Sequence, residues 1–168
     1  MQDYLMTLLG GLAITLQLTA LSLLLGVLLA AGMTWVLERR IPVATQLVQL
    51  WVLVFTGTPL LIQIFLIYYG PGQFEWLKAG PLWPLLKQPW FCAVLALGFN
   101  TAAYSTRLFK GALDAIPAGE VEACRALGFS AGQTLWMKAR HAARRLVPAY
   151  SNEVILVLKG SSLASTIT

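Results

Sequence analysis

Charge is what this sequence has least of. Of its 168 residues, 11% are Asp, Glu, Lys or Arg, against 58% hydrophobic. A soluble domain carries about 25% charged residues, so a soluble fold is excluded and an integral membrane protein is expected. The mean hydropathy of +0.71 points the same way. Acidic residues are scarcer than basic ones, which leaves a net charge of +5. The basic residues cluster beside apolar runs, a pattern explained by membrane orientation and not by nucleic-acid binding. One histidine and two scattered cysteines, Cys92 and Cys124, give no metal-ligand spacing. Cys92 falls in an apolar run and Cys124 in a polar one, so they belong at different depths and no disulfide between them is expected. The N-terminus, MQDYLMTLLG, lacks the basic start of a signal peptide and no A-x-A site follows it, so the first span reads as an uncleaved anchor.

What is present is a series of apolar runs. Residues 8–37 exceed the roughly 20 residues that a membrane helix needs. Thr15, Gln17, Thr19 and Ser22 punctuate this run, and Gly10, Gly11, Gly26 and Gly32 thin it. Such residues favour helix–helix contact, and a lone Gln17 facing lipid would be costly, so packing against another helix is expected. Glu38, Arg39 and Arg40 close the run. A second run, 46–69, holds Phe55-Thr56-Gly57-Thr58-Pro59 at its middle. Pro59 removes a backbone donor and disfavours the helical turn before it. Two readings stand here: a kink that shapes packing, or a kink lining a translocation path, with Gln63 one turn beyond. Residues 70–90 hold four prolines, three glycines and three tryptophans, the mark of a structured loop at the membrane interface. In the third run, 91–110, Asn100, Tyr104 and Arg107 fall on one helical face, which either packs in a bundle or lines a wet cavity. The fourth run, 149–168, carries Glu153 and Lys159, and from Val154 onwards it is shorter than a usual span. Intramembrane charges are expensive and face protein or water.

Between the third and fourth runs lies a polar segment, 111–148, that is both charged and helix-patterned. Pro117, Glu120 and Glu122 suit a helix start. Gly128 suits the residue just past a helix end. Ser130-Ala131-Gly132-Gln133 fits a capping box opening a second helix. Val121, Cys124 and Leu127 make a small apolar stripe, read either as a packing face or as a partner site. Lys138, Arg140, His141, Arg144 and Arg145 follow. With Arg39, Arg40, Arg107, Lys110 and Arg125 they place one side of the membrane inside, against only Lys78 and Lys87 outside. The N-terminus, with Asp3 and no nearby basic residue, is then outside. A polar helical insert held between spans is a candidate docking surface.

Three blocks of this chain resemble a known family. Glu122-Ala123-Cys124-Arg125-Ala126-Leu127-Gly128 looks like the EAA-x-x-x-G loop of ABC importer membrane subunits. Phe55-Thr56-Gly57-Thr58-Pro59-Leu60-Leu61-Ile62-Gln63 resembles the F-R-G-T-P-L-L-x-Q signature of polar amino acid permeases. Ser151-Asn152-Glu153-Val154-Ile155-Leu156, with Lys159 and the Ser161-Ser162-Leu163-Ala164 stretch, resembles their next shared block. The run FTGTPLLIQIFLIYYGPGQF is most similar to the arginine branch. Thr56 stands where the family often has arginine. Cys124 replaces the second alanine of the loop motif. Arg140-His141 stand where Leu-Pro is common.

The resemblance implies an all-α, type I (MetI-like) importer fold with about five helices per subunit, about four of them within this chain, which would then be truncated at its C-terminus. It implies a single permease domain in a bacterial inner membrane, working with a second permease subunit, two cytoplasmic ATP-binding subunits and a periplasmic amino-acid-binding protein. ATP and Mg would be used by the partner; this chain would catalyse no chemistry and hold no metal or cofactor. Gly119, Glu120, Val121, Glu122, Ala123, Cys124, Ala126, Leu127 and Gly128 would couple to the ATPase. Thr56, Gly57, Thr58, Pro59, Gln63, Asn100, Tyr104, Asn152 and Glu153 are the candidates for the substrate path. Glu153 could pair with a cationic substrate or serve as a structural ion pair or helix-end contact. The rival functions are a carrier or channel that needs no ATPase, and an inactive truncated permease.

Overall fold

The computed structural model describes residues 2–167, with the side chains of residues 6 and 8–167. Asp3 as a charge marker and Thr168 as the end of the fourth run lie outside what is described. The described residues are helical: α1 (Gln2–Arg39), α2 (Pro42–Gly57), α3 (Leu60–Tyr69), α4 (Glu75–Lys78), α5 (Trp83–Leu86), α6 (Pro89–Asp114), α7 (Ala118–Ala126) and α8 (Ala131–Gly160), with short 3-10 turns at Pro71–Gln73 and Ser161–Thr166.

Helix α6 is the centre of the bundle, packed by α1, α2, α3 and α8. Its small residues Ala93, Ala96, Ala102 and Ala103 are fully buried, and they let neighbouring backbones approach closely, the usual basis of helix association in membranes. The closest approach is to α1. A Cβ on Gly26 would lie 2.5 Å from Thr101 Cγ2, and one on Gly98 would lie 2.6 Å from Leu25 Cδ2. One core cluster joins Leu18 of α1, Ile64 of α3, Cys92, Ala93, Val94 and Ala96 of α6, and Ala164 and Ile167 beyond α8.

Helix α1 alone is long and apolar enough to cross a membrane among the described residues. Its polar residues divide between two faces. Thr19 and Ser22 are buried, and the Ser22 hydroxyl donates towards the Val94 carbonyl of α6. Gln17, the residue whose cost argued for packing, is exposed on the outer face of this chain. Gly10, Gly11 and Gly32 likewise face open space.

Two runs differ from their expected shape. Residues 46–69 are broken more sharply than a kink: α2 and the α3 segment meet at a bend of 109°. Thr58 and Pro59 are both extended there (φ −112°, ψ 143° and φ −61°, ψ 136°), because a residue before proline avoids the helical region. The fourth run is not a separate helix starting after Pro148. Helix α8 runs unbroken from Ala131 to Gly160 with Pro148 inside it, so the second half of the polar insert and the last apolar run are one rod of 30 residues. The loop 70–88 is built from the two single-turn helices α4 and α5, with Glu75 and Lys78 paired at 2.9 Å.

Candidate coupling surface and membrane elbow

The elbow between α2 and α3 frees backbone carbonyls that no helix turn can satisfy. Side-chain amides satisfy them. Gln63 Nε2 donates to the Phe55 carbonyl (2.8 Å), the Thr58 carbonyl (3.0 Å) and the Thr58 hydroxyl (2.8 Å). Asn100 Nδ2, from α6, donates to Gln63 Oε1 (3.0 Å) and to the Phe55 carbonyl (3.2 Å). The Thr58 hydroxyl donates in turn to Val54. Irregular backbone at membrane depth survives only where protein or a cavity meets its polar groups, and here two amides do so. Trp51 stacks on Phe55 at 4.3 Å, and Phe99 meets both rings edge-on, bracing α2 against α6 beside the break.

Of the path candidates, the structure therefore brings Thr58, Gln63 and Asn100 into one hydrogen-bonded group. Thr56 is half-buried and bonded to its own helix at Val52, while Gly57 and Pro59 are exposed. Tyr104 and Arg107 are exposed on the same helix as Asn100, and Thr56 and Arg107 line a cleft of about 510 Å³ between α2 and α6. Asn152 is exposed on α8 and is not among the partners of this hydrogen-bonded group, and Glu153 is only 5% exposed. The Thr101 hydroxyl of α6 approaches the Glu153 carboxylate. Glu153 makes no ion pair among the described residues. Lys159 is exposed.

The polar insert is a helical corner. Helix α7 ends in a Schellman turn: Phe129 N donates to Cys124 O and Gly128 N to Arg125 O, both at 3.0 Å. Gly128 adopts φ +78°, the left-handed region that favours glycine. Helix α8 then starts with the expected capping box. Gln133 N donates to the Ser130 hydroxyl and Ser130 N to Gln133 Oε1. The apolar stripe divides. Val121 packs on Leu113, Ile116 and Ala142, and Cys124 is buried, so these two form a packing face. Leu127 is 75% exposed beside exposed Phe129. Gly119, Glu122, Ala123 and Ala126 are exposed as well, and Glu120 is half-buried, 3.4 Å from His141 Nδ1 of α8. The outward face of α7 thus carries Gly119, Ala123 and Ala126 beside the charged Glu122 and Arg125, and a bare leucine follows at its end. Both cysteines are free.

A further group at this end of the bundle is marked by no local pattern. Glu38, at the end of α1, takes Lys138 of α8 at 2.5 Å and Lys110 of α6 at 3.2 Å, and Lys110 also pairs with Asp114. Glu38 stood out only as the one acid before two arginines. Its partner Lys138 lies 100 residues away, and no local pattern discloses a contact of that span.

A family model described as the binding-protein-dependent transport system inner membrane component matches residues 22–168. The chain belongs to this family. Within it, the chain is 51% identical to the arginine ABC transporter permease protein ArtM of Haemophilus influenzae, over 99% of this chain and 74% of that protein. It is equally 51% identical to ArtM of Escherichia coli strain K12, over 100% of this chain and 76% of the relative. The octopine transport system permease protein OccM of Rhizobium radiobacter is 41% identical over 96% of this chain and 66% of its own. A solved structure, titled as the crystal structure of an amino acid ABC transporter with histidines, superposes with a TM-score of 0.86 at 30% identity, covering 99% of this chain and 74% of that one. The all-helical, MetI-like transmembrane fold implied by the sequence blocks is the fold observed. This family member is a permease component of an ABC transporter, located in the inner membrane.

Proposed function

We propose that this permease serves an ATP-driven importer of polar or basic amino acids, with arginine as the favoured substrate. Its partners are cytoplasmic ATP-binding subunits, a second permease subunit, a periplasmic amino-acid-binding protein and the surrounding lipid. ATP and Mg are bound and used by the ATP-binding subunits, and this chain performs no chemistry of its own. The N-terminus lies on the periplasmic side and α7 on the cytoplasmic side, the orientation favoured by the basic residues at the α7 end.

The observation that carries the reading is the outward face of α7. Its inner face is held on the bundle by Val121 and Cys124, while Leu127 stands 75% exposed at the tip. A rigid helix offering small residues, the charged Glu122 and Arg125, and one large apolar anchor just past its end fits a groove on a partner. The favoured substrate is supported by the 51% identity to permeases named for arginine. Closure of the ATP-binding subunits would push on α7, and the bundle would convert that push into alternating access at the elbow.

Glu153 is the proposed contact for the cationic side chain of the substrate. It is a buried carboxylate within the bundle, with no cation against it among the described ion pairs. A charge at that depth needs a partner or water. The test is uptake of labelled arginine into proteoliposomes holding the whole transporter and its binding protein. The reading requires uptake to depend on internal ATP. Uptake without ATP would instead establish a carrier. Glu153→Gln is expected to reduce arginine uptake by about ten-fold or more, the size of losing one charge-assisted contact. Unchanged uptake would leave Glu153 as a structural group only.

A further inference from the structure

Helix α7 does not touch the bundle evenly. It rides on the end of α6 and on the first half of α8, through Val121 against Leu113, Ile116 and Ala142, and through Glu120 beside His141. Arg145 Nη1 donates to the Ala115 carbonyl at 3.0 Å and closes the same corner. Any push on α7 is therefore delivered first to α8 and to the end of α6. It has then to reach α1, the long helix on which α6 packs most extensively.

At this end of the bundle, α1 meets α6 and α8 beside open clefts. Clefts of about 330, 900 and 260 Å³ open around its terminus, and Glu38 lines all three. The smallest is walled by Trp35 of α1, Phe109 of α6 and Leu135 and Leu146 of α8, so it is an open apolar cleft where the three helices meet. Glu38 ties the three helix ends together beside these clefts. One carboxylate oxygen, Oε2, takes Lys138 of α8, and the other, Oε1, takes Lys110 of α6. The Glu38 and Lys138 side chains are 14% and 17% exposed, and Lys110 is 31% exposed. Screening by water is weaker there than at an open surface. With Asp114 on Lys110 the group holds two carboxylates and two ammonium groups, so its charge sums to zero.

We infer that Glu38 is the positioning residue through which the α7–α8 docking segment and α6 together grip α1, passing movement at the ATPase side to the membrane helices. This rests on the reading that an ATPase docks on α7. Glu38 contacts neither substrate nor nucleotide in this arrangement. Its role is to keep three helix ends moving as one.

The test is the ratio of amino acid imported to ATP hydrolysed, measured on the whole transporter purified from its native membrane and placed in proteoliposomes with its binding protein. Glu38→Lys leaves three cations against one carboxylate, and Lys138→Glu leaves three carboxylates against one cation. Each is expected to lower the ratio by about ten-fold, within the usual range of coupling between sites, with the ATPase still co-purifying. Glu38→Lys combined with Lys138→Glu restores a neutral group and should bring the ratio back to within about three-fold of the parent, less than half the logarithmic loss. Glu38→Gln, the mildest change, should give an intermediate ratio. Glu75→Lys breaks the exposed pair in the opposite loop and should leave the ratio unaltered. A parental ratio in both single variants, or a double variant no better than either single one at equal membrane abundance, overturns the inference. Absence of any ATPase from the parental preparation overturns the docking reading, and this inference with it.

Discussion

Asn100 of α6 donates its side-chain amide to Gln63 Oε1 of α3 at 3.0 Å, and both residues also donate to the carbonyl of Phe55 in α2. Three helices thus share one acceptor group at the point where the chain turns through 109°. The elbow is held by amides and not by proline alone. Proline explains why the helix stops; Gln63 and Asn100 explain why the stop is tolerated inside a membrane.

Removing the Gln63 amide should therefore loosen the elbow. Gln63→Leu keeps the volume roughly and leaves the Phe55 and Thr58 carbonyls short of donors. Each unsatisfied buried group costs about 1–3 kcal/mol. Thermal unfolding in detergent should show a clear fall in midpoint for Gln63→Leu. An exposed neighbour, Ile62→Leu, should unfold like the parent. Equal midpoints for all three would mean that the elbow holds itself.

The α1–α6 crossing makes a second prediction. Gly26→Ala would put a Cβ 2.5 Å from Thr101 Cγ2, and a β-branched side chain on a packed helix has little freedom to move aside. Overpacking of this kind costs about 1–3 kcal/mol. Gly11 faces open space, and alanine there should be neutral or stabilising by up to about 1 kcal/mol through helix propensity. Unfolding midpoints of the two variants should move in opposite directions or differ by that margin.

The turn after α7 makes a third. A side chain on Gly128 would meet nothing within 4 Å, so any penalty there comes from the backbone at φ +78°. Gly128→Ala should cost about 1–2 kcal/mol locally, and Ser130→Ala about 1 kcal/mol through the lost cap. Hydrogen exchange across 118–135 should quicken in both variants, with the α1–α6 core unchanged. Unaltered exchange would show that the corner is held from α8 and not by its turn.

What was legible in the chain is what depends on near neighbours. Gly128, the Ser130–Gln133 box and the break before Pro59 are encoded within a few residues, and all three appear where the sequence puts them. The split of the apolar stripe was not legible. Val121 packs on Leu113, Ile116 and Ala142 while Leu127 stays exposed, a division set by residues of other segments that no periodicity within α7 discloses. Gln17 is a similar case. Its cost in lipid suggested a partner helix, yet the helices of this chain cover the other face of α1. The severity of the elbow depended on Asn100, 37 residues beyond Gln63, and the Glu38 group on Lys138, 100 residues beyond Glu38. Contacts of that separation are fixed by the fold as a whole.

The central claim is that the exposed tip of α7 docks an ATP-binding subunit. The most direct measurement is a mild-detergent pull-down of the tagged permease from membranes of its native host, parent beside Leu127→Asp. Leu127 is 75% exposed, so a charge there leaves the fold intact and places an unpaired carboxylate in the proposed groove. The account predicts an ATP-binding subunit with the parent and its loss, by about ten-fold or more, with the variant, at equal permease recovery. An ATP-binding subunit retained equally by both, or absent from both, would contradict it.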